Sequence, residues 1–284
     1  MPLEKIFVTR HGFRSNWTVD PATGIYAASI PSPTGIPADP ALTSHGVQQS
    51  KELARHLMDL DPPIDLVYSS PYYRCLQTIS PYVELRKQRR AEGVQPPLDT
   101  TIRPEFGLCE WFGSAPFDHP QPASPHILKA MFPAYDEDYV SGVVPSSKGE
   151  TLVQLYERVA RGLRAIIDRC DAENKRSVVL CSHAAVIIAI GRILTGQVPE
   201  SPDTEDFRAF TCGLSLYTRD PAEHGASVDK PANYLFPAIG RWNCELNGDC
   251  SFLSSGEERG WCFSGDESFP GTGSMTQVDG SPKL

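Results

Sequence analysis

Near its beginning the chain reads KIFVTRHGFR over residues 5–14. The apolar run from Ile6 to Val8 predicts a short buried strand. That strand delivers Arg10 and His11 to its carboxyl end, and Gly12 lets the backbone approach a bound group closely. This stretch therefore predicts a sheet edge that carries a histidine flanked by positive charge.

Two later stretches have the same form. An apolar strand over residues 64–68 is followed by Ser69-Ser70, and a strand over residues 177–181 is followed by Ser182-His183. In open sheets of parallel strands, ligands bind beyond the carboxyl ends of the strands. The three sets of polar side chains are therefore expected to lie around one site.

Predicted helices alternate with these strands. Apolar residues recur at helical spacing over residues 43–60 and 150–170, and an apolar helix is expected from 184 to 195, with Gly196 at its C-terminal cap. Another helix is expected after the second strand, with Ser70 as its N-cap and Pro71 at its first position. The alternation predicts an α/β fold, a three-layer α/β/α arrangement with a mostly parallel central sheet. We expect one domain over residues 1–268, with core motifs in 5–195, C-terminal strands and a hairpin in 213–263, and a disordered tail over 269–284. The hairpin turn is placed at Asn247-Gly248, a pair typical of type I′ turns.

Composition excludes several classes of protein. The 284 residues are 40% hydrophobic, enough for a sizeable core, and the net charge of −9 disfavours direct binding to nucleic acid. No apolar run is long enough to suggest a membrane span, and no secretory signal is seen at the N-terminus, so a cytoplasmic and/or nuclear location is expected. None of the eight cysteines forms a C-x-x-C pair, so the spacing argues against a zinc ribbon. The basic cluster Arg86–Arg90 is interpreted as a solvated helix end, with a nuclear-localisation patch as the alternative.

Arginines beside a histidine suggest phosphate chemistry. Arg10, Arg14 and Arg74 offer planar forks of donors that suit phosphate oxygens, and together they would repel one another without an anion. A neutral His11 could attack phosphorus if its other ring nitrogen had a fixed partner, such as a backbone carbonyl near Gly12.

The remaining steps need a second donor and an acid. His183 could donate to the phosphoryl oxygens and stabilise the transferring charge. Glu110 is the candidate proton donor, because its neighbours Leu108 and Trp111 could raise its pKa and keep it protonated. Glu105 is the rival candidate.

These segments resemble the signature of the histidine phosphatase, or phosphoglycerate mutase-like, superfamily. The matching segments, in family order, are Thr9-Arg10-His11-Gly12 with Arg14 and Asn16, Leu42-Thr43-x-x-Gly46-x-x-Gln49, Ser69-Ser70-Pro71-x-x-Arg74-x-x-Gln77-Thr78, Gly149-Glu150-Thr151 and Ser182-His183. The resemblance implies a phosphoglycerate mutase-like fold, a phosphorylated nucleophile at His11, a phosphate pocket of Arg10, Arg14, Arg74 and His183, and a proton donor at Glu110. It implies no metal and no organic cofactor.

The departures from the family pattern favour hydrolysis of a phosphomonoester. Mutases usually carry glutamate after the R-H-G triplet, whereas this chain has Phe13, and the mutase N-E-R-x-Y-G segment is absent. A mutase-type phosphotransferase therefore stays only as an alternative. The expected substrate is a phosphorylated small molecule or a phosphoprotein.

A narrower resemblance links the chain to a fungal branch of the family that includes a subunit of the RNA polymerase III initiation machinery. It rests on Arg10 to Trp17, Pro71 to Leu76, and Phe252 to Glu258 with Trp261. This implies a further alternative, a protein-interaction subunit that keeps a phosphatase-like pocket and binds other subunits of that machinery.

Overall fold

The computed structural model describes residues 2–93, 98–220, 239 and 241–263. Within these residues it contains eight strands and five α-helices. The strands are β1 (Lys5–Arg10), β2 (Trp17–Val19), β3 (Tyr26–Ala28), β4 (Leu66–Ser69), β5 (Arg103–Pro104), β6 (Ser177–Ser182), β7 (Leu214–Arg219) and β8 (Trp242–Asp249). The helices are α1 (Ser44–Met58), α2 (Tyr73–Ala91), α3 (Pro125–Met131), α4 (Leu152–Ala172) and α5 (Ala184–Thr195).

Six strands form the central sheet, in the order β5-β4-β6-β1-β7-β8. β5, β4, β6 and β1 are parallel, whereas β7 and β8 add antiparallel strands beyond β1. The register pairs Arg10 with Ser182 and Ser69 with Cys181, so the carboxyl ends of β1, β6 and β4 lie side by side.

Helices cover both faces of this sheet. Phe7 of β1 points into a cluster with the apolar stripes of α1 and α2, while Ile6 and Val8 point into a second cluster with α4 and α5. Alternate residues of a strand face opposite sides, so each buried strand contributes to both cores. The predicted three-layer α/β/α fold with a mostly parallel sheet is confirmed.

Local sequence signals define the helix ends. Thr43 caps α1 by accepting a hydrogen bond from the Gly46 amide, and Thr151 forms a reciprocal capping box with Gln154 at the start of α4. Gly196 ends α5 in the left-handed conformation, as its sequence position predicted.

The predicted hairpin at Asn247-Gly248 is wrong. Both residues lie inside β8, where the register against β7 shifts between Leu214 and Leu216. Gly248 has a φ of 68° there, and its amide donates to the Ser215 hydroxyl, while the Asn247 side chain bonds to the backbone of the 206–208 segment. These tertiary hydrogen bonds favour a bulge over a turn. The predicted tail over residues 269–284 lies outside the described residues.

Candidate active site

Three polar segments meet at the carboxyl ends of β1, β4 and β6. They bring His11, Ser70 and His183 together, with the imidazole rings of His11 and His183 at 5.4 Å between centroids. All three residues are buried. The side chains at the three strand ends therefore lie close together, as the sequence predicted.

His11 is held as a neutral imidazole. Its Nδ1 lies 2.9 Å from the Gly12 carbonyl oxygen, so Nδ1 carries the proton and Nε2 keeps the lone pair. Burial, and then the positive charges of Arg74 and Arg10, hold the pKa of His11 well below its usual value. A neutral ring with one nitrogen anchored is the form needed for attack on phosphorus.

Arg74 is the centre of the charged network. Its guanidinium is fully buried and donates to Asp39 at 3.0 Å and to Glu110 at 3.0 Å. It also lies 3.1 Å from Nδ1 of His183. Arg74 therefore connects the cluster of His11, His183 and Glu110 to the buried carboxylate of Asp39.

Asp39 also completes the start of α2. Its carboxylate accepts the Tyr73 amide at 2.6 Å, so Asp39 satisfies a helix N-terminus that Ser70 and Pro71 were expected to begin. Ser70 instead directs its hydroxyl to Nε2 of His183, at 2.8 Å. The Ser70 cap was therefore a wrong prediction: α2 begins two residues beyond Pro71, and this leaves Ser70 free to orient His183.

His183 lies between Ser70 and Glu110. Its Nδ1 is 3.2 Å from Oε2 of Glu110. Burial opposes protonation of the ring, but the Cys75 thiol and the Glu110 carboxylate favour it, and the pKa of His183 is raised. A protonated His183 can donate to phosphoryl oxygens.

Glu110 is ionised here, contrary to the prediction from its apolar neighbours. Burial favours the neutral acid, but the charges of His183 and Arg74 outweigh burial and hold the pKa of Glu110 well below its usual value. The indole of Trp111 is engaged elsewhere: it donates to the Glu150 carbonyl oxygen at 2.8 Å and packs on the Phe263 ring. The side chain of Glu110 is 16% exposed and lies at the site.

Glu105, the rival proton donor, has a different environment. It is fully buried, and its carboxylate accepts hydrogen bonds from the amides of Gly107 and Gly142 and from the hydroxyls of Tyr139 and Ser141. Glu105 therefore ties the loop after β5 to the segment before α4, and the structure does not bring it into the His11 cluster.

Arg10, the last residue of β1, and Arg14, in the loop that follows, lie on either side of His11 in the chain, and the charges of both lower its pKa. Arg10 donates to the carbonyl oxygens of Ala209 and Arg259, and Arg14 donates to the Ser15 carbonyl. The predicted phosphate-pocket residues Arg10, Arg14, Arg74 and His183 are thus brought together with His11 and Glu110.

The C-terminal segment 254–261 packs against the loop that follows β1 and holds it in place. Glu258 accepts from Gln49, which in turn accepts the Phe13 amide, and Arg259 stacks its guanidinium on the Phe13 ring at 3.8 Å. Arg259 also donates to the Arg14 carbonyl. The sequence left open whether this segment binds a partner or caps the domain, because no local pattern indicates contacts that span more than 200 residues.

The cluster could in principle hold a cation. Ligand atoms of His11, Glu110 and His183 all lie within 4.8 Å of one another. However, Arg74, Arg10 and Arg14 act on the same point with positive charge. This electrostatic setting favours an anion over a metal ion.

Comparison with known proteins shows which protein family the chain belongs to. The model of the histidine phosphatase superfamily (branch 1) matches residues 6–227. The chain belongs to this superfamily, and the buried histidine with its arginines lies where the signature segments meet.

Two curated proteins show the relationship in more detail. The chain is 32% identical over 280 residues to the transcription factor tau 55 kDa subunit of Saccharomyces cerevisiae. The match covers 93% of this chain and 59% of that subunit. It is 30% identical over 175 residues to the ecdysteroid-phosphate phosphatase of Drosophila melanogaster, covering 60% of this chain and 22% of that protein. The chain thus spans less than two thirds of either relative.

A solved structure supports the fold. The ecdysone phosphate phosphatase of Bombyx mori, in complex with tungstate, superimposes with a TM-score of 0.53 at 18% identity over 81% of this chain and 97% of that one. Among the described residues, no helix has the length and apolar character needed to cross a membrane.

Proposed function

We propose that the protein hydrolyses phosphomonoesters through a phosphohistidine intermediate on His11. The observation that carries this proposal is the state of His11: a buried, neutral imidazole, anchored through Nδ1 and surrounded by three arginines. A phosphoryl group satisfies the positive charge and places phosphorus against Nε2.

In the first step the Nε2–P bond forms and the P–O bond to the leaving group breaks. Arg74 and His183 hold the phosphoryl oxygens and stabilise their charge. Bound phosphate adds negative charge beside Glu110 and draws Arg74 and His183 away from it, so the pKa of Glu110 rises. Its carboxylate takes up a proton from solvent as substrate binds, and the carboxyl then gives this proton to the leaving oxygen.

In the second step water attacks phosphorus and the Nε2–P bond breaks. Glu110, now a carboxylate, takes the proton from that water. The products are an alcohol or phenol and inorganic phosphate. We favour hydrolysis over mutase chemistry because Phe13 stands where mutases usually carry glutamate.

The proposed role of Glu110 predicts a dependence on the leaving group. Glu110→Gln cannot protonate the leaving oxygen, so phosphate release from an alkyl phosphate should fall about 10²–10⁴-fold. The rate at which p-nitrophenol leaves p-nitrophenyl phosphate in the first step should fall much less, because p-nitrophenolate is a good leaving group without protonation. Initial rates of p-nitrophenol formation under single-turnover conditions measure this step.

Glu105→Gln is the matched control. It removes charge from the loop anchored on Tyr139 and Ser141, so we expect lower thermal stability with the same ratio of alkyl to p-nitrophenyl rates as the wild type. If the ratio of alkyl to p-nitrophenyl rates changed in Glu105→Gln and not in Glu110→Gln, Glu105 would be the proton donor and Glu110 would not.

A second candidate function is a subunit of the RNA polymerase III initiation machinery in the nucleus. Its support is the 32% identity to the yeast tau 55 kDa subunit over 93% of this chain. We expect the epitope-tagged protein, expressed in its own cells, to co-purify with RNA polymerase III initiation factor subunits. Purification without them would reject this role, and the wild-type and His11→Ala proteins should behave alike in this assay.

A further inference from the structure

A second cationic site lies at the opposite end of the sheet from His11. A cavity of about 240 Å³ opens where β4 and β6 begin, and residues before both strands line it together with the last turns of α2. Four cations line this cavity: Arg86, Arg89, Lys175 and Arg176.

Arg86 is the unusual member of this group. Its side chain is fully buried, although it opens the basic cluster Arg86–Arg90 that the sequence suggested was solvated. It donates to the Tyr82 hydroxyl at 3.2 Å and to the Asp65 carbonyl oxygen at 2.9 Å, and neither acceptor carries a formal charge. Among residues 2–93, 98–220, 239 and 241–263, no carboxylate oxygen lies within 4.0 Å of its guanidinium.

The two carboxylates in the cavity wall are engaged elsewhere. Asp65 accepts the amides of Arg176 and Ser177, at 2.7 and 3.1 Å. Asp99 accepts from Thr101 and lies 3.9 Å from Arg103.

The other cations differ in their pairing. Arg176 pairs with Glu4 at 2.7 Å. Within the described part of the chain, neither Arg89 nor Lys175 has a carboxylate within salt-bridge distance. Buried charge without a partner is costly, so a positive cavity of this kind favours an anionic occupant.

We propose that this cavity binds a small phosphate-type oxyanion, such as inorganic phosphate or pyrophosphate, at a site separate from His11. Arg86 supplies the buried positive charge, and the more exposed Arg89 and Lys175 supply hydrogen-bond donors. The volume lies below the roughly 300–1,000 Å³ of pockets for drug-sized ligands, which favours a small anion.

Calorimetric titration with pyrophosphate tests this site. Wild type should bind two pyrophosphates per chain, one at each end of the sheet. The double variant Arg89→Ala/Lys175→Ala should bind only one, or bind the second at least about tenfold more weakly, because two charge-assisted contacts are lost. Arg90→Ala is the matched control: it removes the neighbouring exposed arginine, which does not line the cavity, and should still bind two.

Arg86→Met provides an independent measurement. Without anion this variant should be at least as stable as wild type, because a buried charge without a carboxylate partner is removed. Pyrophosphate should raise the melting temperature of wild type by binding at both sites. It should raise the melting temperature of Arg86→Met by a smaller amount, because only the His11 site remains. Pyrophosphate binding in the double variant equal to that of wild type, or equal shifts for wild type and Arg86→Met, would overturn the proposal. A single wild-type site that is lost in the double variant would support this cavity and would count instead against anion binding at His11. None of these readouts depends on turnover at His11.

Discussion

His11→Ala is expected to lower the rate of p-nitrophenyl phosphate hydrolysis by at least about 10⁴-fold, because the variant has no nitrogen to accept the phosphoryl group. Wild type, quenched during turnover, should carry phosphate that is stable to base and released by acid, the behaviour of phosphohistidine. His11→Ala should carry none.

The residues around His11 are expected to keep their structure in this variant. Arg74, Arg14 and His183 are unchanged in His11→Ala, so the variant should still bind inorganic phosphate and keep its melting temperature close to that of wild type. His126→Ala, on the exposed face of α3, is the control and should keep full activity. Turnover in His11→Ala comparable to wild type would reject His11 as the nucleophile, whatever the protein's cellular role.

Arg74→Met should give the largest loss of stability. The guanidinium and the Asp39 carboxylate are both fully buried, so removing Arg74 leaves a buried carboxylate without its partner. Breaking a buried pair in this way costs about 3–5 kcal/mol of unfolding free energy. The same variant loses a phosphoryl contact, so kcat should fall by about 10²–10³-fold.

Urea denaturation and steady-state kinetics measure these two losses. Arg74→Met/Asp39→Asn should recover part of the stability, because the unpaired charge is gone, but none of the activity. Arg176→Met, which breaks the exposed pair with Glu4, should change stability far less. A loss below about 1 kcal/mol in Arg74→Met would show that Asp39 does not depend on this partner.

Local patterns in the sequence were enough to predict the layers and the place of the site. The apolar runs before Arg10, Ser69 and Ser182 have the lengths of buried strands, and α4 has an unbroken helical stripe. Because parallel strands end at a common edge, the residues that follow them could be grouped from the sequence alone.

What was missed depends on contacts between distant segments. Asp39 caps α2 from 34 residues away, and Glu258 reaches Gln49 from 209 residues away; neither contact leaves a periodic signal. The pKa of Glu110 was predicted in the wrong direction because its sequence neighbours are apolar, whereas its neighbours in space are Arg74 and His183. The bulge in β8 replaced a turn for the same reason, since the Asn247 side chain bonds to the backbone of residues 206 and 208 and the Gly248 amide donates to the Ser215 hydroxyl.

The clamp formed by segment 254–261 has a consequence for how the molecule is made. Arg10 donates to the carbonyl of Arg259, a contact between residues 249 positions apart. A contact of such separation closes a long loop of chain, and neither end can hold the other until both have been synthesised. During synthesis the loop after β1 leaves the ribosome long before Arg259, yet the contacts that secure this loop can form only after residue 259 has emerged. The surroundings of His11 are therefore completed only after segment 254–261 has been made, when the strands and helices of residues 5–219 have already left the ribosome.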